Sequence, residues 1–176
     1  MKTKYFLIAA AGMLGLTGMG ADYLFNFENA EGNSLPKGYR QVKDRNYCGG
    51  TFEIVNVECG KLTKAVKVLQ PEGKKTVRIL MERPEVPAKA GDRIDVEFFV
   101  KGKGKVIVGF YGNNAQSKFN EFATAYITGQ SQEWQKVTAQ LKVKKENTVV
   151  IHPFLQSNVP CLMFTGLKVT VDTQGK

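Results

Sequence analysis

The chain has 176 residues, with 25 Lys and Arg against 16 Asp and Glu, one His, three Cys and one Trp. That length suits one domain with a sizeable core, and an apolar fraction of 43% beside 23% charged residues excludes wholesale disorder. A single His excludes His-rich metal sites, while 18 Gly and 11 Phe among many Val and Thr point to strands joined by tight turns.

Met1 to Ala21 reads as a secretory signal peptide. Lys2 and Lys4 make a positive start, Phe6 to Leu16 an apolar run, and Gly18-Met19-Gly20-Ala21 a small-residue exit. Cleavage after Gly20 leaves Gly18 and Gly20 as the recognised small residues; cleavage after Ala21 leaves Met19 and Ala21, and both stay open. The run falls short of the ~20 apolar residues a membrane-spanning helix needs, and no Cys near the exit suggests a lipid anchor. The expectation is a single domain over 22–176 that is secreted, periplasmic or held at the cell surface, with no membrane span.

Period-2 alternation then runs along the domain. Tyr23 to Glu28 alternates and ends in the turn cluster Asn29 to Asn33. Thr51 to Val57 and Ala65 to Leu69 follow, then Thr76 to Met81, broken by Pro84 and Pro87. Ile94 to Val100 is the clearest strand, with Ile94, Val96, Phe98 and Val100 on one face; Val106 to Tyr111 is expected to pair with it across the Lys101–Lys105 tip as a hairpin. Phe122 to Thr128, Trp134 to Val143 (with Val137, Ala139, Leu141 and Val143 inward), Val149 to Leu155 and Leu162 to Val171 complete the set. The pattern predicts an all-β fold, a two-sheet antiparallel sandwich of about nine strands.

Loss of Lys2 and Lys4 with the leader lowers the formal charge from +9 to +7. The lysines alternate with apolar residues or scatter around strands, as on a solvated basic face; the same excess would also draw anionic glycans, sulfated or sialylated. No nucleic-acid partner is indicated. Export to an oxidising compartment makes one disulfide reasonable: Cys48 with Cys59, which flank a short strand, leaving Cys161 as a buried thiol in Pro160-Cys161-Leu162-Met163-Phe164.

Phe25-Asn26-Phe27-Glu28 followed by Leu35-Pro36-Lys37-Gly38-Tyr39 resembles the opening of galactose-binding-like jelly rolls. Ala88 to Gly102 is similar to their turn-strand segment ending in Val-Lys-Gly, Glu133-Trp134-Gln135-Lys136-Val137 to their Trp-Gln-x-Val strand start, and Phe164 to Val171 to their terminal strand. The resemblance implies a jelly roll like the carbohydrate-binding modules of secreted bacterial proteins. It also implies that Trp134 packs in the core. A structural calcium in that family uses adjacent Asp on the terminal strand, but Phe164-Thr165-Gly166-Leu167 has none, so no cofactor or metal is expected; the alternatives for Glu28 are a turn-stabilising acid and, with Glu31 and backbone carbonyls, an oxygen ligand of such a calcium.

No catalytic residues stand out. Asp92, Asp95 and Glu97 read as one wet strand face, and His152 before Pro153 reads as packed or surface. Sugar binding needs aromatic faces beside amides, and the densest such mix is the loop and flanks from Phe110 to Tyr126. The ligand-binding residues expected are Tyr111, Asn113, Asn114 and Tyr126, with Phe154, Gln156 and Asn158 repeating the mix. The function expected is a secreted, noncatalytic glycan-binding module; the alternative is an exported structural or adhesive surface protein that binds protein partners.

Overall fold

A computed structural model describes residues 20–44, 48–69, 75–113, 118–127, 132–144, 146 and 148–173, with the backbone alone at Asn113 and 118–127. Of the leader read at Met1 to Ala21, residues 1–19 lie outside the described residues, and Ala21 begins the first strand. Among those described there are twelve strands: β1 (Ala21–Phe25), β2 (Tyr39–Gln41), β3 (Phe52–Cys59), β4 (Leu62–Val68), β5 (Val77–Met81), β6 (Val86–Pro87), β7 (Arg93–Lys101), β8 (Gly104–Asn113), β9 (Lys118–Ile127), β10 (Gln135–Lys142), β11 (Val150–Ser157) and β12 (Met163–Asp172). The two absent from the sequence reading, β2 and β6, have three and two residues, too few to show alternation.

One sheet runs β10-β7-β12-β4-β3, with β1 also on β12; the other runs β2-β5-β11-β8-β9, with β6 on β11. The strand pairs are antiparallel. This is the two-sheet sandwich that the alternation predicts. β7 shows why: Ile94, Val96, Phe98 and Val100 are buried while Arg93, Asp95 and Glu97 point the other way. They meet Phe25, Val66, Phe164 and Val169 from their own sheet and Val77, Val108, Phe110 and Leu155 from the other. Burying each such side chain stabilises the fold by about 1.5–3 kcal/mol.

Several sequence expectations need correction. β7 and β8 do not form a hairpin; they belong to opposite sheets. Gly102 (φ 114°) and Gly104 (φ 136°) carry the chain across, and a Cβ at Gly104 would lie 2.7 Å from Val159. Only glycine combines that backbone with that approach. The hairpin partner of β8 is β9, which begins at Lys118, so the polar loop expected between them shrinks to 114–117. Asp92 is buried rather than wet, accepting the Lys89 amide at 2.8 Å.

The cysteines and the tryptophan also differ. All three cysteines are free, with Cys48 and Cys59 buried and Cys161 exposed. Cys48 bridges to Thr76, while Cys59 ends β3 beside Leu62. Cys59 is the last residue of β3, and the strand's other residues, Phe52 to Glu58, lie between the two cysteines, so at ~3.3 Å per residue the two sulfurs are far beyond disulfide reach. Cys161 sits in a turn with φ 64°, which aims it out of the apolar stretch around it. Trp134 is half-buried and outside the core. It precedes edge strand β10, out of phase with the inward Val137, Ala139 and Leu141. No helix among the described residues is long and apolar enough to cross a membrane.

Candidate functional site

In the second sheet Val77, Ile79 and Met81 of β5, Ile151 and Leu155 of β11, and Val106, Val108 and Phe110 of β8 point to the core. The pleat therefore sends Arg78 and Leu80, His152, Phe154 and Gln156, and Ile107, Gly109 and Tyr111 to the outer face. Register brings them side by side. Gln156 lies between Arg78 and Ile107, Phe154 between Leu80 and Gly109, and His152 opposite Tyr111. Gly109 leaves the middle of the face without a side chain.

Four of these side chains form one assembly. Phe154 and Gln156 are 1% and 2% exposed although they face outward, because Arg78 and Tyr111 lie over them. The Arg78 guanidinium carbon is 4.8 Å from the Phe154 ring centre and 5.8 Å from that of Tyr111. The two rings are 5.3 Å apart and tilted by 41°. Arg78 Nε donates to Gln156 Oε1 at 2.5 Å, and an Nη donates to the Tyr111 hydroxyl. Cation–π contact of this kind contributes about 1–2 kcal/mol and holds the guanidinium in one plane. Beside Tyr111, burial holds the His152 imidazole below its ordinary pKa; Glu82 and Glu85 oppose this and Arg83 and Arg40 add to it.

The expected site residues fall on this face unevenly. Tyr111 is in the assembly and half-exposed. Asn113 ends β8 two positions along the same face, opposite Val150 and the Lys118 position. Asn114 lies outside the described residues. Tyr126 pairs with Lys105, six residues along β9 from the Asn120 that faces Tyr111, hence ~20 Å away. Tyr111 and Asn113 are thus neighbours, while Tyr126 marks the far end of a strip. Of the second mix, Phe154 and Gln156 join Tyr111, and Asn158 follows β11. Arg78 escaped the sequence reading, although a lone charge inside Val77-Arg78-Ile79-Leu80-Met81 was a visible signal. A depression lined by Gly91, Arg93, Gln140, Leu141 and Lys142 lies on the first sheet and offers no aromatic platform.

The corner where the family resemblance raised calcium is closed by the chain itself. The Glu28 carboxylate accepts from the Thr63 amide at 2.9 Å, the Thr63 hydroxyl and the Lys64 amide at 3.3 Å, while Lys64 Nζ donates to the Ala30 carbonyl. Burial pushes the Glu28 pKa up, but these hydrogen bonds outweigh it and hold the group below its ordinary value. On the terminal strand Thr165 Oγ1 donates to the Lys64 carbonyl at 2.7 Å. An ammonium already on the carbonyl and a carboxylate already engaged do not fit a calcium shell of several oxygens. Among the described residues no cluster of three or more His, Cys, Asp or Glu suits a metal.

No family model matches the chain, and no curated protein matches it in sequence. Solved structures match its fold. The CBM22-1 xylan-binding domain of Paenibacillus barcinonensis Xyn10C is similar with a TM-score of 0.58 and 11% identity, over 91% of this chain and 100% of that one. The CBM22-1–GH10 modules of Clostridium thermocellum xylanase 10B, complexed with xylohexaose, give 0.55 and 15% over 79% of this chain, which spans only 27% of theirs. A cyclase from Fischerella sp. TAU gives 0.53 and 10% over 89% of this chain and 100% of its own. What this chain shares with all three is the fold, the jelly-roll β-sandwich of carbohydrate-binding modules.

Proposed function

We propose that the chain is an exported, noncatalytic glycan-binding module that takes its ligand on the outer face of the β2-β5-β11-β8-β9 sheet. The observation that carries this reading is the assembly of Tyr111 and Arg78 over Phe154 and Gln156. It presents the half-exposed Tyr111 ring and the Arg78 guanidinium over a buried floor of Phe154 and Gln156, an aromatic face and a donor of the kind that stack on a pyranose ring and bond its hydroxyls. The Asn113 and Tyr126 positions lie farther along the same strands by register. Support comes from the fold shared with a xylan-binding domain and with modules complexed with xylohexaose. The cyclase on the same fold shows that architecture alone does not decide catalysis. The noncatalytic reading rests instead on the face, whose described strand positions include no carboxylate pair of the kind glycoside hydrolysis uses.

The test is a glycan array followed by titration of Tyr111→Ala. The expected result is a loss of affinity of ~10-fold or more, about 1.4 kcal/mol, with the domain still folded. An array without any ligand, or a Tyr111→Ala variant that binds as before, overturns this reading in favour of an adhesive protein that binds protein partners.

A further inference from the structure

The outer face of the first sheet carries its own aromatic group, which includes the chain's only Trp. The pleat turns Phe99 outward between the buried Phe98 and Val100, and Met163 outward beside the buried Phe164. Trp134 precedes Gln135, which pairs with Val100, so it stands level with Lys101 on that same face. Register sets Met163 between Lys101 and Lys67, and Phe99 between Lys136 and Thr165. Trp134 and Phe99 are therefore diagonal neighbours across the sheet, within reach of forming one aromatic surface. At the bulge in β12 Gly166 holds φ 63°, and Leu62 and Phe99 close over the space its Cβ would take. Trp134, Phe99, Met163 and Leu62 are each half-buried, and together they make an apolar strip across the sheet.

The groups around the strip set the chemistry that suits it. The acids of β7 and β12 are all engaged: Glu97 by Lys136 at 3.0 Å, and Asp95 and Asp172 by Arg93 at 3.0 and 3.3 Å. At the far end Lys67 holds Glu53 at 2.8 Å. The face is nearly balanced in charge, so it offers a polyanion no row of free bases. Two donors stay unused. Among the described residues the Trp134 indole and the Lys101 ammonium have no hydrogen-bond or ion-pair partner, and neither Trp134 nor Phe99 has a ring partner. An apolar protein surface laid on the strip would bury both donors unsatisfied. A sugar meets both needs, because its C–H face packs on the rings while its hydroxyl oxygens accept from the two N–H groups.

We propose that the outer face of the first sheet is a second glycan platform, where Trp134 and Phe99 stack on the rings of a neutral polysaccharide and Lys101 donates to its hydroxyls. This site goes beyond the one at Tyr111 and is separate from it, since the two lie on different sheets. With one Trp in the chain, Trp emission reports this face alone. The experiment titrates the chain and its Tyr111→Ala, Trp134→Ala and Trp134→Phe variants with xylohexaose, cellohexaose, mannohexaose, laminarihexaose and dextran sulfate. Emission and calorimetry are read together. At least one neutral oligosaccharide is expected to shift the Trp134 emission, and to do so equally in Tyr111→Ala. Trp134→Ala is expected to weaken this site ~10-fold or more, with circular dichroism unchanged. Trp134→Phe keeps a ring and should retain weaker binding, which decides the matter if the Ala variant unfolds. Constant emission beside Tyr111-dependent heat overturns the second platform and leaves the reading at Tyr111 standing. An emission shift with binding indifferent to Tyr111→Ala removes the Tyr111 site and keeps this one. A response to dextran sulfate alone shows polyanion attraction, and emission that follows protein concentration without ligand shows a second copy on this face; either overturns the proposal. Silence toward every oligosaccharide overturns it as well.

Discussion

At the scale of single residues, backbone geometry and burial make the sharpest demands. Gly104 holds φ 136° with Val159 against the place a Cβ would occupy. Gly60 holds φ 60° with nothing within 4 Å. Gly104→Ala is therefore expected to cost about 2–4 kcal/mol, combining backbone strain with overpacking, and Gly60→Ala about 1 kcal/mol from strain alone. Urea denaturation of the two variants side by side checks the contrast. His152 supplies a pH dependence. Burial lowers its pKa in the folded chain, so the unfolded chain, titrating near the ordinary value of about 6.5, binds more protons in acid. Stability should fall as pH drops through about 6.5 and level off above it. The urea midpoint measured from about pH 7.5 to about pH 5 reads this directly, and His152→Gln should flatten the profile.

At the scale of elements, the joint between the end of β1 and the start of β4 behaves as a clasp. Glu28 receives the Thr63 and Lys64 amides, and the Lys64 ammonium returns to Ala30. With an internal cation in place, added calcium or chelator should leave the melting temperature unchanged. Lys64→Met should lower it by several degrees through loss of a charge-assisted bond, on the order of 1–3 kcal/mol. A thermal melt with and without calcium tests both arms, and a calcium-dependent rise in the native chain would refute the clasp. The strands themselves were legible because alternation is local: β7 reads off Ile94, Val96, Phe98 and Val100 without any knowledge of partners. The hairpin assigned to β7 and β8 was not legible. Two adjacent alternating runs with a Gly-rich tip look the same whether they pair or part, and only Val159 packed on Gly104 separates the cases.

At the scale of the molecule, both sheets share one core, and Phe98 stands in it with no exposed surface. Phe98→Ala is expected to cost about 3–5 kcal/mol while unfolding remains a single transition. Two separate transitions in calorimetry would show the sheets to be independent.

The sequence by itself determined the all-β class, the alternation of faces and the aromatic and amide content around Tyr111. Each of these depends on neighbours within a few residues. The tertiary structure decided which sheet each strand joins, that Cys48 and Cys59 stand apart, that Trp134 misses the core, and that Arg78 belongs with Tyr111 and Gln156. Those partners lie 33 and 78 residues away along the chain. A strand's side-chain pattern says which face is wet but not which strand will lie beside it, because pairing is set by how the whole core packs. The candidate site is built from side chains of three strands, so it exists only once β5, β11 and β8 have taken their register.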